Sequence, residues 1–276
     1  MTTGDVLPLP PESTGTAPGR GRLAGRRIAV VGAGTAPGPG GEQPIGNGRA
    51  IAVLAAREGA HVACVDRDKA AARETVEWIT GEGGTAHLVV ADVGNPADCE
   101  ALVRASVDAM GGLDGVVLNV GIGGGKGIAG TSVEEWDRVL DVNLRSHFLI
   151  CKEALPTMTG GGSIVFISSI AGIKPGSRIP AYDASKAALL GLSRNVAHEG
   201  APQGVRANVV LPGLIDTPLG RWATAGRPSR GTTNVPLGRQ GTGWEVGNAV
   251  VFLLSDEAAY ITGQALAVDG GLSGLR

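Results

Sequence analysis

Short apolar runs alternate with longer stretches of helical periodicity along most of the chain. The runs are apolar on both faces, which is typical of parallel strands covered by helices on each side. Seven runs in this rhythm predict a single doubly wound, Rossmann-like α/β domain with a mostly parallel sheet. The predicted strands are 27–31, 61–66, 86–93, 115–121, 162–169, 205–211 and 265–269, and the predicted helices are 48–60, 69–80, 96–110, 133–156, 182–199 and 245–254.

Residues 1–22 break this rhythm, because they are rich in Pro, Gly and Thr and show no apolar block of the kind found in a signal peptide. We expect them to form a disordered tail. Residues 23–276 show neither an internal repeat nor a composition break, so they are expected to form one domain. Within it, the Gly-, Pro- and Thr-rich segment 219–244 is predicted to be a mobile lid over the substrate.

The composition limits the classes of partner. The net charge is −2 and only 18% of residues are charged, which argues against nucleic acid or an anionic membrane. Three scattered cysteines without CxxC spacing predict free thiols, with neither a disulfide framework nor a metal site. His147 and Cys151 share a helical face, for which packing is the favoured interpretation. No apolar run approaches the length of a membrane span, and we expect a cytoplasmic protein.

The first strand leads into a glycine-rich crossover, residues 30–50, of the kind that lets a backbone approach a pyrophosphate at a helix N-terminus. A flexible loop is the alternative. Asp66, at the end of the second strand, can accept hydrogen bonds from a ribose and would repel a 2′-phosphate. We therefore expect NAD rather than NADP, although the neighbouring Arg67 leaves NADP open. Asp92, at the end of the third strand, would reach the adenine, or else only cap a turn.

Residues 181–192, A-Y-D-A-S-K-A-A-L-L-G-L, place Tyr182 and Lys186 one helical turn apart. Tyrosine is a poor base at neutral pH because its pKa is ordinarily about 10. A nearby ammonium would lower the pKa of the phenol. An isolated YxxxK is usually an ordinary helix surface, so this pair gains weight only beside Ser169 and a nucleotide site.

Together these features resemble the short-chain dehydrogenase/reductase family over residues 23–271. Val31, Gly32, Gly46 and Gly48 correspond to the family's TGxxxGxG motif, with about ten extra residues inserted. Gly34, Gly38 and Gly40 offer an alternative spacing. The family's NNAG motif appears as Leu118, Asn119, Val120 and Gly121, with the first asparagine lost, and the segment after the sixth strand appears as P-G-L-I-D-T-P (212–218). The insertion, residues 33–45, is interpreted as a tolerated surface loop rather than a flap over the pyrophosphate.

The resemblance implies the roles of the site residues. Tyr182 would exchange a proton with the substrate, Ser169 would bind the substrate oxygen in preference to Ser168, and Lys186 would also bind the nicotinamide ribose. Asn143 would hold a proton-relay water. The residues expected to bind the cofactor are Gly32, Gly46, Asn47, Gly48, Asp66, Arg67, Asp92, Val93, Asn119, Gly121, Tyr182, Lys186, Pro212, Gly213, Ile215 and Thr217. The resemblance also suggests a homotetramer.

The expected function is that of an NAD(H)-dependent oxidoreductase that interconverts a secondary alcohol and a ketone. The small-residue run 121–128 suggests room for a bulky or cyclic substrate. Arg221, Arg227 and Arg230 would suit an acidic substrate, although such charges are more often solvated. A dehydratase or epimerase using the same site, and a nucleotide-sensing protein without catalysis, are the alternatives.

Overall fold

The computed structural model describes residues 8–40, 44–174 and 176–275. All seven predicted strands are present, and the two-residue strands β7 and β8 pair separately. The strands are β1 Arg27–Val31, β2 His61–Asp66, β3 Thr85–Val90, β4 Gly115–Leu118, β5 Gly162–Ile167, β6 Val205–Pro212, β7 Ile215–Asp216, β8 Gly241–Thr242 and β9 Ala265–Val268. The helices are α1 Pro11–Thr14, α2 Asn47–Arg57, α3 Lys69–Gly81, α4 Pro96–Met110, α5 Val133–Leu140, α6 Ser146–Ala154, α7 Pro180–Gly200, α8 Pro218–Ala225 and α9 Gly243–Leu254.

The main sheet has the strand order β3-β2-β1-β4-β5-β6-β9, and every neighbouring pair is parallel. The order reverses between β1 and β4, and in such sheets this switch point opens a crevice at the carboxyl ends of the strands. The prediction of a doubly wound α/β fold is confirmed.

Two apolar clusters cover the two faces of the sheet. Successive strand residues point to opposite faces, so Val30 belongs to one cluster while its neighbours Ala29 and Val31 belong to the other. The first cluster is completed by α2, α3 and α9, and the second by α4, α6 and α7. This double coverage explains why the strands show no polar alternation in the sequence.

The helix predicted over residues 133–156 is interrupted. It begins with the expected capping box, in which Ser132 and Glu135 bond each other's backbone amides. A π turn then occupies Asp141–Arg145 between α5 and α6. Asn143 lies fully buried within this turn, and π turns of this kind are frequent at functional sites.

The N-terminal segment differs from the expectation of disorder over 1–22. Its described part, residues 8–22, contains α1 and packs against α9. Buried Ser13 donates its hydroxyl to Glu245 Oε1 at 2.8 Å, and Gly15 lies directly against the indole of Trp244. These contacts are long-range and leave no periodic signal in the sequence. The first seven residues lie outside the described part.

Among the residues that the structure describes, no helix combines the length and the apolar character needed to cross a bilayer. Cys64, Cys99 and Cys151 are free and buried. Burial raises the pKa of the Cys64 thiol to about 12 and that of Cys99 to about 11. Both thiols are therefore protonated at neutral pH.

Candidate active site

The glycine turn after β1 depends on two close backbone approaches. Gly32 has a φ of +86°, a conformation that suits glycine. A Cβ built on Gly48 would lie 1.7 Å from the Gly32 carbonyl oxygen, so no side chain fits there. Asn119, which follows β4, donates its Nδ2 to the same carbonyl at 2.9 Å. Asn119 thus fixes the turn across the switch point.

The second half of the glycine motif coincides with the start of α2. The helix begins at Asn47 with Gly46 as its N-cap, as the helical periodicity predicts. The Asn47 side-chain oxygen is buried without a hydrogen-bond partner in the described part of the chain, and Asn47 lines the cleft at the switch point. A buried acceptor without a partner, beside the free amides of a helix N-terminus, fits a bound polar group such as a pyrophosphate.

Asp66 is oriented by the backbone around it. Its two carboxylate oxygens accept from the Gly34 amide at 2.9 Å and the Asp68 amide at 3.0 Å. Both Asp66 and the exposed Arg67 line the cleft. At the end of β3, Asp92 is exposed and accepts from the Gly94 amide at 2.9 Å. Asp92 therefore makes the turn contact that was its alternative interpretation, and it also lines the cleft.

Tyr182 and Lys186 both lie in the first turns of α7, and both line the cleft. Lys186 is buried; its Nζ donates to the carbonyl of Ile167 at 2.9 Å and lies 5.8 Å from the centroid of the Tyr182 ring. Burial lowers the pKa of Lys186 to about 8. The ammonium therefore lies over the ring face and is fixed to the end of β5.

The expected acidification of Tyr182 by Lys186 is not seen. Burial raises the pKa of the Tyr182 phenol, while the Ser169 hydroxyl and the Arg230 guanidinium act in the opposite direction. The physical reason is burial of the phenol, which Lys186 does not offset because it faces the ring and donates to the carbonyl of Ile167. In the protein alone, Tyr182 is therefore held in its neutral form.

The two adjacent serines after β5 do different things. Ser168 is buried, and its hydroxyl donates to the main-chain carbonyl of Lys186 at 2.6 Å. Ser169 accepts from the Ala171 amide at 3.1 Å and lies close enough to Tyr182 to influence its phenol. Ser168 therefore ties the strand to α7, whereas Ser169 faces the tyrosine, which supports choosing Ser169 over Ser168.

Asn143 lies behind the cleft rather than on its wall. Its Oδ1 accepts from the Ile122 amide at 2.8 Å, and its Nδ2 donates to the Ile122 carbonyl at 2.9 Å and to Ser185 Oγ at 3.0 Å. The side chain is thus engaged with the protein on both atoms. A Cβ added at Gly121 would lie 2.8 Å from Lys186 Nζ, so Asn143 positions the backbone that packs against the lysine.

The segment after β6 forms the opposite wall. A Cβ on Gly213 would lie 2.6 Å from the Cβ of Asp269, which holds this backbone against the end of β9. Thr217 is buried and caps α8 by accepting from the Gly220 amide at 3.0 Å. Pro212, Gly213, Ile215 and Thr217 all line the cleft.

The predicted lid is folded against two neighbouring loops. On α8, Trp222 donates its indole N–H to the carbonyl of Pro37, in the insertion after β1, at 3.1 Å. Arg227 donates to the Gly176 carbonyl at 2.7 Å and to the Ser177 carbonyl. The insertion, the lid and the loop before α7 therefore meet at the mouth of the cleft.

The cleft has a volume of about 1120 Å³ and is continuous from Asp66 to the lid. The sequence did not single out the cleft-lining Lys174 and Arg178 as site residues. Arg178 carries a signal only in the structure, where its φ of +61° is the one positive value among described residues other than glycine. The predicted site residues that line the cleft are Gly32, Gly46, Asn47, Gly48, Asp66, Arg67, Asp92, Val93, Asn119, Gly121, Ser169, Tyr182, Lys186, Pro212, Gly213, Ile215 and Thr217.

Comparison with known proteins agrees with this arrangement. The family model described as enoyl-(acyl carrier protein) reductase matches residues 43–273. The chain is 36% identical to 2-(S)-hydroxypropyl-CoM dehydrogenase 3 of Xanthobacter autotrophicus, over 92% of this chain and 99% of that protein. It is 37% identical to human dehydrogenase/reductase SDR family member 4, over 82% and 83% of the two chains.

The chain belongs to the short-chain dehydrogenase/reductase family. The chain is an oxidoreductase of this family, and solved relatives share its fold. One is a putative short-chain dehydrogenase/reductase from Burkholderia xenovorans, with a TM-score of 0.84, 41% identity and coverage of 92% of this chain and 98% of that one. Another is 7α-hydroxysteroid dehydrogenase complexed with NADH and 7-oxo glycochenodeoxycholic acid, with a TM-score of 0.83, 29% identity and coverage of 96% and 98%.

Proposed function

We propose that this short-chain dehydrogenase/reductase interconverts a secondary alcohol and a ketone, using NAD(H) in preference to NADP(H). The observation that carries the proposal is the shared cleft, in which Ser169, Tyr182 and Lys186 face the space next to the glycine turn of β1. The two relatives named as dehydrogenases of hydroxylated compounds support the reaction class, and the neighbour with NADH and a 7-oxo compound supports the cofactor.

The residues of the cleft fit a nicotinamide dinucleotide. The Gly32–Gly48 contact allows close approach, Asn47 offers a buried acceptor without a partner, and Asp66 presents a carboxylate to a ribose. When bound, the nicotinamide would supply the hydride acceptor or donor. Arg49, the first cation after the glycine motif, is bonded to α3 through Ala71 rather than facing the cleft. The Asp66 carboxylate would therefore repel a 2′-phosphate, with Arg67 the nearest counter-charge in sequence.

The three polar residues have separate tasks. Ser169 donates a hydrogen bond to the substrate oxygen and holds it beside the Tyr182 hydroxyl. Tyr182 takes the hydroxyl proton during oxidation and returns it during reduction. Lys186, fixed by Ile167, supplies positive charge across the aromatic face and N–H donors toward the cofactor ribose. Fixed donors around the reacting oxygen lower the barrier because they need no reorganisation.

Asn143 acts as a positioning residue. Its side chain holds Ile122 and Ser185, and the π turn around it places the backbone of this helix behind Lys186. The proton-relay water expected from the family resemblance would be held by this backbone rather than by the amide side chain. We also propose that the protein is cytoplasmic, as its sequence pattern suggests, and a homotetramer, as the resemblance suggests.

A substrate panel tests the function. Cyclic and aromatic secondary alcohols and ketones are offered with NAD(H) and NADP(H), and nicotinamide absorbance at 340 nm is followed. We expect turnover of at least one carbonyl or alcohol class, with a higher kcat/KM for NAD(H). Conversion without net absorbance change would instead indicate a dehydratase or epimerase. Tight NAD(H) binding with no conversion across the panel would indicate a nucleotide-sensing protein.

A further inference from the structure

The two ends of the cleft differ in charge. The carboxylates that line it, Asp66, Asp68 and Asp92, lie at or just after the ends of β2 and β3 at the proposed nucleotide end, where Arg67 is the one cation among the described lining residues. The opposite wall is made by the loop before α7 and by the lid. Its charged residues in the described part of the chain are all cations. These cations are Lys174, Arg178, Arg227 and Arg230. A cleft lined by one sign of charge attracts a ligand of the opposite sign.

Arg230 is the best placed of these cations. Its Nη1 donates to the Gly220 carbonyl at 2.9 Å and to Thr224 Oγ1 at 2.7 Å, which fixes the guanidinium against α8. No carboxylate lies within salt-bridge distance of Arg230 in the described part of the chain. The nearby Asp216 is already paired with Arg221, at 2.8 and 3.0 Å.

The unpaired charge is partly buried and close to the reacting hydroxyl. Burial lowers the pKa of Arg230, and the Arg230 charge opposes the raised pKa of Tyr182. The Nε and Nη2 atoms of Arg230 have no hydrogen-bond acceptor among the described residues. A partly buried guanidinium that lines the cleft and keeps unused donors is suited to binding an anion.

Arg227 is less available. Its guanidinium donates to the carbonyls of Gly176 and Ser177, which joins the lid to the loop before α7. Its charge also acts to lower the pKa of the neighbouring Asp183. Lys174 likewise donates to the Leu272 carbonyl at 3.1 Å. Arg227 and Lys174 raise the local positive potential, whereas Arg230 presents a fixed, planar guanidinium with N–H donors for an anion.

We propose that Arg230 binds an anionic group, such as a carboxylate, carried by the substrate whose carbonyl or alcohol carbon lies beside Tyr182. The inference rests on the proposed function, since it assigns the substrate class of the same cleft. The guanidinium plane matches an oxyanion through two parallel N–H bonds, which also sets the direction in which the substrate enters. Ketones or alcohols bearing an acid group are therefore the substrate class.

A matched pair of ketones that differ only in charge tests this, namely 4-acetylbenzoate and its methyl ester. We expect wild-type kcat/KM to favour the acid by about tenfold or more, the effect of a charged hydrogen-bond pair. Arg230→Met should remove the preference by acting on the acid alone, and Arg230→Lys should retain part of it. Arg104→Met, which removes an exposed charge on α4 that does not line the cleft, should keep the wild-type preference.

Calorimetric titration of both ketones into the enzyme saturated with NAD⁺, with which a ketone cannot react, separates this inference from the proposed function. Weaker binding of the acid, but not of the ester, in Arg230→Met supports the anion site even if neither ketone is reduced. Equal weakening of acid and ester binding in Arg230→Met, or tighter wild-type binding of the ester, would overturn the proposed anion site. Arg230 would then only hold the lid in place. Thermal unfolding of each variant checks that the fold is retained.

Discussion

Lys186 Nζ lies 5.8 Å from the centroid of the Tyr182 ring and is fixed there by the carbonyl of Ile167. The helical spacing of four residues brings the two side chains together, but the strand end decides where the ammonium rests. The cation is buried and has no carboxylate partner in the described part of the chain. A buried charge without a carboxylate partner costs stability.

Replacing Lys186 with methionine should therefore stabilise the fold. The pKa of Lys186 is lowered from 10.5 to about 8, so below pH 8 the folded protein bears the full cost of the charge. As pH rises from 8 to 10.5 the folded state loses the proton first, and wild-type stability increases. We expect Lys186→Met to raise the free energy of unfolding at pH 7 by about 1–3 kcal/mol and to abolish turnover.

Urea unfolding at pH 7 and pH 10 measures the effect, and the advantage of Lys186→Met should shrink at the higher pH. The exposed Lys152 on α6 offers a matched control, because Lys152→Met should change stability by less than about 0.5 kcal/mol. A less stable Lys186→Met protein at pH 7 would show that the bond to Ile167 outweighs the cost of burial.

Asp66 should govern the choice of cofactor. Its carboxylate is held by the amides of Gly34 and Asp68 and lines the cleft. Asp66→Asn should lower kcat/KM for NADH by about 10–100-fold through the lost charged hydrogen bonds, and should raise kcat/KM for NADPH. Steady-state kinetics with both cofactors measures the ratio. Asp68 caps α3 by accepting from the amides of Ala70 and Ala71. Asp68→Asn keeps a capping oxygen and should leave the cofactor ratio unchanged. An equal shift in Asp68→Asn would show that the preference depends on the overall charge of this end of the cleft.

The contact between Trp222 and Pro37 should slow cofactor release. The indole donates to the Pro37 carbonyl at 3.1 Å and joins the lid to the insertion after β1. Trp222→Phe keeps a smaller aromatic ring and removes the hydrogen bond, so NADH should dissociate about 2–10-fold faster. Stopped-flow release of NADH measures this, with Trp136→Phe on α5 as control. An unchanged NADH dissociation rate in Trp222→Phe would indicate that the insertion is only a tolerated surface loop.

The sequence was sufficient for the sheet and for most of the cleft. Apolar runs and helical periodicity located every strand of the main sheet, because burial on both faces leaves a strong local signal. The glycine positions and the Ser169, Tyr182 and Lys186 set followed from the resemblance to the short-chain dehydrogenase/reductase family. The start of α2 at Asn47 favoured Gly46 and Gly48 over the alternative glycines, as the periodicity after them had indicated.

The remaining features depend on contacts between distant residues. Ser13 and Glu245 are far apart in the chain, so the packed N-terminal segment could not be recognised from composition. The π turn contains Asn143, whose side chain bonds the distant Ile122, and helical periodicity encodes neither feature. The raised pKa of Tyr182 follows from burial, a quantity that spacing alone does not provide.

The most direct test of the account is the turnover of Tyr182→Phe with the best substrate of the panel, measured under NAD(H) saturation. Phenylalanine keeps the ring beneath Lys186 and removes only the hydroxyl. We expect kcat to fall by about 10²–10⁴-fold, the usual contribution of a general acid–base group, with NADH affinity little changed. Turnover within a few-fold of the wild-type value would show that another group moves the proton and would contradict the proposed chemistry.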